Sequence, residues 1–194
     1  MRPDSGGMGA AGLPPRFTAE GLLPPGDYEL TIEELRTSML VVGPQPLIEG
    51  WDAGWRTRLV ENLGTLVGQL AHVGVFDVFV DGSFVEDKVH PNDIDGYFCC
   101  DFQDLVSGEL ERRLNLLDPH KVWTWDPNCR RPFRGYPKLQ LPMWHQYRVE
   151  LYPHCGQVCG IRDSFGHELE FPAAFRLSRR NNLPRGIVKL RRRP

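Results

Sequence analysis

The sequence predicts an α/β (α+β) fold, a small mixed β-sheet flanked by helices. Three observations carry that expectation. Trp51, Trp55, Leu59, Leu63, Val67 and Leu70 recur at intervals of three to four residues, the spacing of one face of a long amphipathic helix. Directly behind them, Val75-Phe76-Asp77-Val78-Phe79-Val80 is a short β-branched and aromatic run, the composition of a buried strand. Segments of both kinds then follow in the order helix, strand, strand, helix, strand, which implies one sheet with helices packed on it.

At 194 residues the chain is long enough for one domain with a core of its own. Six Gly and five Pro fall within residues 1–26, and no periodic apolar face survives there. A flexible lead is therefore expected over 1–22 and a single domain over 23–194. Thr31 and Glu34 have capping-box spacing and open a short helix to about Met39. The main helix follows over 51–73, with Arg56, Arg58, Glu61 and Asn62 assigned to its other side and Gly74 as its stop. After the strand at 75–80, a second is expected over Ile94–Cys100 and a helix over 104–117. A Pro- and Arg-rich connection, 128–142, leads to a third strand expected over 144–152. Residues 168–171 and 175–177 read as further short strands.

The formal charge of −2 conceals a split. Residues 176–194 hold eight Arg or Lys and no acid, leaving 15 basic and 25 acidic residues in the rest. Two uses of the basic segment compete: a nucleic-acid patch or a solvated tail. Five Cys, two of them adjacent, and no signal-like apolar start argue against a disulfide scaffold and for a reducing cytoplasm. No apolar run reaches membrane-spanning length. Cys155 and Cys159 with His154 and His167 lack the paired spacing of a zinc site and read as free thiols.

The chemistry concentrates in Asp81-Gly82-Ser83-Phe84 and Asn92-Asp93-Ile94-Asp95. Gly82 lets backbone approach an anion, and Ser83 adds a hydroxyl at a strand end. Asp93 and Asp95 lie two apart on an expected strand and so share a face. Two close carboxylates repel unless a divalent cation lies between them, and Mg²⁺ (or Mn²⁺) suits such hard oxygens. Glu150, between Val149 and Leu151, is the best third acid. Taken alone, the Pro-Asn-Asp cluster also fits a solvated turn.

Gly82-Ser83, nine residues, then Asp93-Ile94-Asp95 resembles the signature of the polymerase-β-like nucleotidyltransferase superfamily. Leu23-Pro24-Pro25-Gly26, Lys88, Pro91-Asn92 and Pro184 to Leu190 resemble a small bacterial and phage subgroup of it. The resemblance implies transfer of a nucleoside monophosphate from an NTP to a hydroxyl of a protein, RNA or small molecule. It implies Asp93, Asp95 and Glu150 as catalytic acids on Mg²⁺, with Gly82 and Ser83 at the phosphates. Lys88 and Arg185 are candidates for further phosphate contacts, and Arg179 or Arg180 could serve in Arg185's place. Asp81 and Gly96 depart from the family pattern, which usually has a hydrophobic residue before the Gly and an aliphatic one after the second acid. The alternatives are an inactive nucleotide-binding module and an antitoxin-like or phage-defence protein that binds a partner chain.

Overall fold

The computed structural model describes residues 12–192. Its main sheet has five strands in the order β1-β7-β2-β3-β4: β1 Asp27–Leu30, β2 Val78–Asp81, β3 Ile94–Cys99, β4 Val149–His154 and β7 Ile187–Leu190. β2 runs antiparallel to both β3 and β7, whereas β3/β4 and β1/β7 are parallel. The sheet is therefore mixed, and the α+β expectation holds. β5 (Val158–Arg162) and β6 (Glu168–Glu170) form a separate two-stranded hairpin.

Alternation gives the sheet two unlike faces. Val78, Val80, Ile94, Phe98, Val149, Leu151, Val188 and Leu190 point into the main core. There α3 (Ala53–His72) lays down Leu59, Leu63, Leu66 and Leu70, all with no exposed surface. Burial of each such side chain contributes about 1.5–3 kcal/mol. α1 (Ile32–Thr37), α2 (Met39–Val42), α5 (Glu109–Leu117) and α6 (Pro142–Tyr147) complete this layer. The capping box at Thr31 is present in both directions, Glu34 N donating to the Thr31 hydroxyl and Thr31 N to the Glu34 carboxylate. The opposite face carries Phe79, Tyr97, Tyr152 and Ile187, met by Phe171 and Phe175 from and beside α7 (Phe171–Ala174).

Several expectations are corrected. Arg56 is fully buried, because it lies three and four residues before Leu59 and Val60 and so shares their face. Its guanidinium donates to the carbonyls of Leu40, Phe84, Glu86 and Lys88 at 2.6–3.2 Å. It also lies 3.9 Å from the Trp51 ring centre, so one buried cation ties α2 and the 84–88 loop to α3. The helix expected over 104–117 is broken into α4 (Phe102–Val106) and α5 by Gly108 at φ +75°. The strand expected from Trp144 is helix α6 up to Tyr147, with Pro142 at its first position and Arg148 in a left-handed cap at φ 55°. Residues 175–177 form no strand: Phe175 and Arg176 turn out of α7, and Leu177 makes only an isolated bridge with Pro184.

Of the flexible lead expected over 1–22, residues 1–11 lie outside the described residues. The remainder is packed: Leu13 and Phe17 lie against the core and Leu22 is buried. Over its described residues the basic segment is folded onto the body rather than a loose tail. Its β7 is an interior strand, and its cations meet the body's acids: Arg176 with Asp27, Arg180 with Glu86 and Asp87, Lys189 with Asp77, Arg191 with Glu34.

Candidate active site

Strand register assembles the site. Asp81 on β2 pairs with Asp95 on β3, and Asp95 pairs with Glu150 on β4. Three acids thus form a row across three strands, on the face opposite the main core. Asp93 precedes β3 and lies two residues from Asp95. Asp93, Asp95 and Glu150 all line one cavity of about 640 Å³, a volume that suits a nucleotide-sized ligand. An adjoining cavity of about 370 Å³ is lined by Gly82 and Ser83 and shares Asp95, Phe175 and Arg179 with the first. The two form one cleft, so the structure brings five of the expected residues together.

Glycine sets the geometry at two points. Gly82 has φ +75°, and a Cβ there would fall 2.3 Å from Asp95 Oδ2. Only glycine lets the turn after β2 lie against that carboxylate. At Gly96 a Cβ would meet the Phe79 carbonyl oxygen at 2.4 Å. The departure from the family pattern at Gly96 therefore has a packing cause, the close approach of β2 and β3.

Each acid has its own surroundings. Asp93 Oδ2 accepts from the Trp144 indole at 2.7 Å. Glu150 Oε1 accepts from Leu141 N at 3.0 Å, and its Oε2 from the Tyr152 hydroxyl. Arg130 donates to the Tyr152 hydroxyl at 3.1 Å and lies 3.5 Å from Glu150 Oε1. Asp95 is accessible from the cavity, but the protein packs closely enough that desolvation pushes its carboxyl up to about 8, with Asp93 and Glu150 adding to the rise. Asp93 is also raised, first by burial and then by Glu150, while Trp144 and Lys88 oppose the shift. Asp81 is pushed up to about 7 by burial, opposed chiefly by Arg185.

Arg185 is buried rather than displayed. It pairs with Asp81 and Glu86 and donates to the carbonyls of Gly82 and Phe175 at 3.2 and 3.3 Å. It holds the glycine turn from behind, with its donors committed to protein acceptors. Arg180 is likewise paired, with Glu86 and Asp87. Arg179 is exposed, lines both cavities and makes no hydrogen bond or ion pair with another described residue. Lys88 is exposed and lines neither cavity, although its charge acts on Asp93. Sequence reasoning misses Arg130, Lys138, Tyr152 and Trp144 as site residues. Three of them line the cavity and Trp144 holds Asp93.

Among the described residues, no group of three or more His, Cys, Asp or Glu is spaced to hold a metal ion. The donor chemistry nevertheless fits a divalent cation: hard carboxylate oxygens, crowded enough to raise one another's proton affinity. The fit is better at Asp93 and Asp95 than at Glu150, whose two oxygens are already hydrogen-bonded. No described helix is long and apolar enough to cross a membrane.

A family model described as "Family of unknown function (DUF6932)" matches residues 15–191, and the chain belongs to that family. No curated protein and no solved structure matches it.

Proposed function

We propose that this protein is a nucleotidyltransferase that moves a nucleoside monophosphate from an NTP to a hydroxyl acceptor. The observation that carries the reading is the single cleft running from Gly82-Ser83 to Asp93, Asp95 and Glu150. The Gly82 turn and the Ser83 hydroxyl receive the outer phosphates, and Arg179 balances their charge. Asp93 and Asp95 would hold a divalent cation, Mg²⁺ or Mn²⁺. Such an ion, when bound, would supply charge neutralisation at the α-phosphate and would lower the proton affinity of the acceptor hydroxyl. Glu150, oriented by Leu141 N and Tyr152, takes the acceptor's proton. The acceptor oxygen bonds to the α-phosphorus, the bond to the bridging oxygen breaks, and pyrophosphate leaves with that electron pair.

Incubation with α-labelled NTPs, Mg²⁺ or Mn²⁺ and protein, RNA or small-molecule acceptors tests this. Label is expected on an acceptor with wild type and is lost with Asp93→Asn and Asp95→Asn. Equal labelling by wild type and variants rejects the reading. A second reading, nucleotide binding without turnover, draws on the hydrogen bonds that occupy both Glu150 oxygens. It predicts that NTP raises the melting temperature while no acceptor is labelled.

A further inference from the structure

The 127–149 segment holds Arg130, Arg131, Arg134, Lys138 and Arg148 and no acid. Within it, Arg131 and Gln140 close a loop through backbone hydrogen bonds of 2.8 Å in both directions. Arg130 and Arg148 are used internally, the first on Tyr152 and Glu150, the second stacked over Trp144 at 3.8 Å and Phe133 at 4.2 Å. Arg131, Arg134 and Lys138 are exposed and form no side-chain hydrogen bond or ion pair with another described residue. Phe133 and Tyr136 stand partly exposed among them, propped edge-to-face against Trp144 at 5.1 and 4.9 Å.

The loop also has a cavity on each side. Arg130, Lys138 and Gln140 line the acidic cleft. Arg131 lines a second cavity of about 570 Å³ together with Lys121, His120 and His145, where Glu111 is the single acid. The loop thus carries unpaired positive charge from the rim of the acid row, at Lys138, to a separate cavity, at Arg131. Cations without protein partners, interleaved with aromatic rings, match the chemistry of a single nucleic-acid strand: phosphates for the cations, base faces for the rings.

We propose that the 131–140 loop is a docking surface for single-stranded nucleic acid. The segment 176–192 is not that surface despite its larger formal charge, because all its cations but Arg179 and Arg192 meet acids of the body. That the strand's terminal hydroxyl reaches Glu150 rests on the transfer reading above; the binding does not.

The test is fluorescence anisotropy of a labelled single-stranded RNA oligonucleotide with the full chain, without NTP, across a salt series. Triple substitution Arg131→Ala/Arg134→Ala/Lys138→Ala is expected to weaken binding at least tenfold. It should also reduce the slope of log K against log salt by about 2, since each phosphate that a cation neutralises adds about 0.7. Arg191→Ala is expected to change affinity less than twofold. Asp93→Asn/Asp95→Asn is expected to keep RNA binding, so a failed transfer assay leaves this outcome readable. Circular dichroism of each variant confirms that it is folded. The proposal is overturned if wild type binds no strand, or if the triple variant binds as wild type does. It is equally overturned if duplex RNA or polyglutamate competes as well as the unlabelled strand, which would make the loop a general polyanion site.

Discussion

Asp81 and Asp95 are register partners on adjacent strands, yet their charges are handled in opposite ways. At Asp81 the chain supplies its own cation, Arg185, and that guanidinium opposes the effect of burial. At Asp95 the strongest charge effects, from Asp93 and Glu150, act in the same direction as burial, and Arg179 works against them. One acid is built into the framework, while the other has no ion pair with a described cation. A buried carboxylate therefore identifies a site through the sign of its neighbours rather than through burial alone.

The largest expected effect breaks the framework side. Arg185→Met leaves Asp81 and Glu86 buried without their shared partner and should cost about 3–5 kcal/mol, read as a lower urea midpoint. An unchanged midpoint would show that Asp81 does not need its cation. Next comes the open side, read through its pH dependence. A carboxyl raised to about 8 in the folded state binds its proton more tightly there than in the unfolded chain, where its pKa is about 3.9. Stability from this group is therefore flat below about pH 4 and falls as pH rises towards 8. In chelator-treated buffer the melting temperature of wild type should drop across that window, and Asp95→Asn should flatten the drop. Added Mg²⁺ should restore part of it in wild type and none in the variant. Smallest is the steric link between the two acids. Gly82→Ala forces a Cβ onto Asp95 at a positive φ and should cost about 1–3 kcal/mol. Calorimetry that found no loss would show that the turn can move away from Asp95.

The acids of the open side are legible in the sequence because their signals are local. Gly82, Ser83, Asp93 and Asp95 fall within fourteen consecutive residues, and the period of two along a strand orients Asp95 and Glu150 without any knowledge of the fold. Arg185 reads as a phosphate ligand because nothing near it in sequence reveals Asp81 and Glu86 about a hundred positions earlier. Arg56 falls on the polar side only when its charge is given more weight than its helical position. α6 reads as a strand because its aromatic residues run straight on into Val149–Tyr152, whereas the spacing of three between Trp144 and Tyr147 and Pro142 at the first position fit a helix. The loop around Arg131 has no period at all, so its unpaired cations emerge only once the other basic segment is seen to be paired.

β7 also sets a clock. It lies between β1 and β2, and its Ile187 is in register with Asp27, 160 positions earlier. At roughly 5–20 residues per second of synthesis, β1 waits about 8–32 s for its parallel partner. Throughout that interval Asp81 lacks Arg185 as well. The acid row can pair across β2, β3 and β4 before then, but β1 and the β7 side of β2 remain unpaired strand edges until β7 is made.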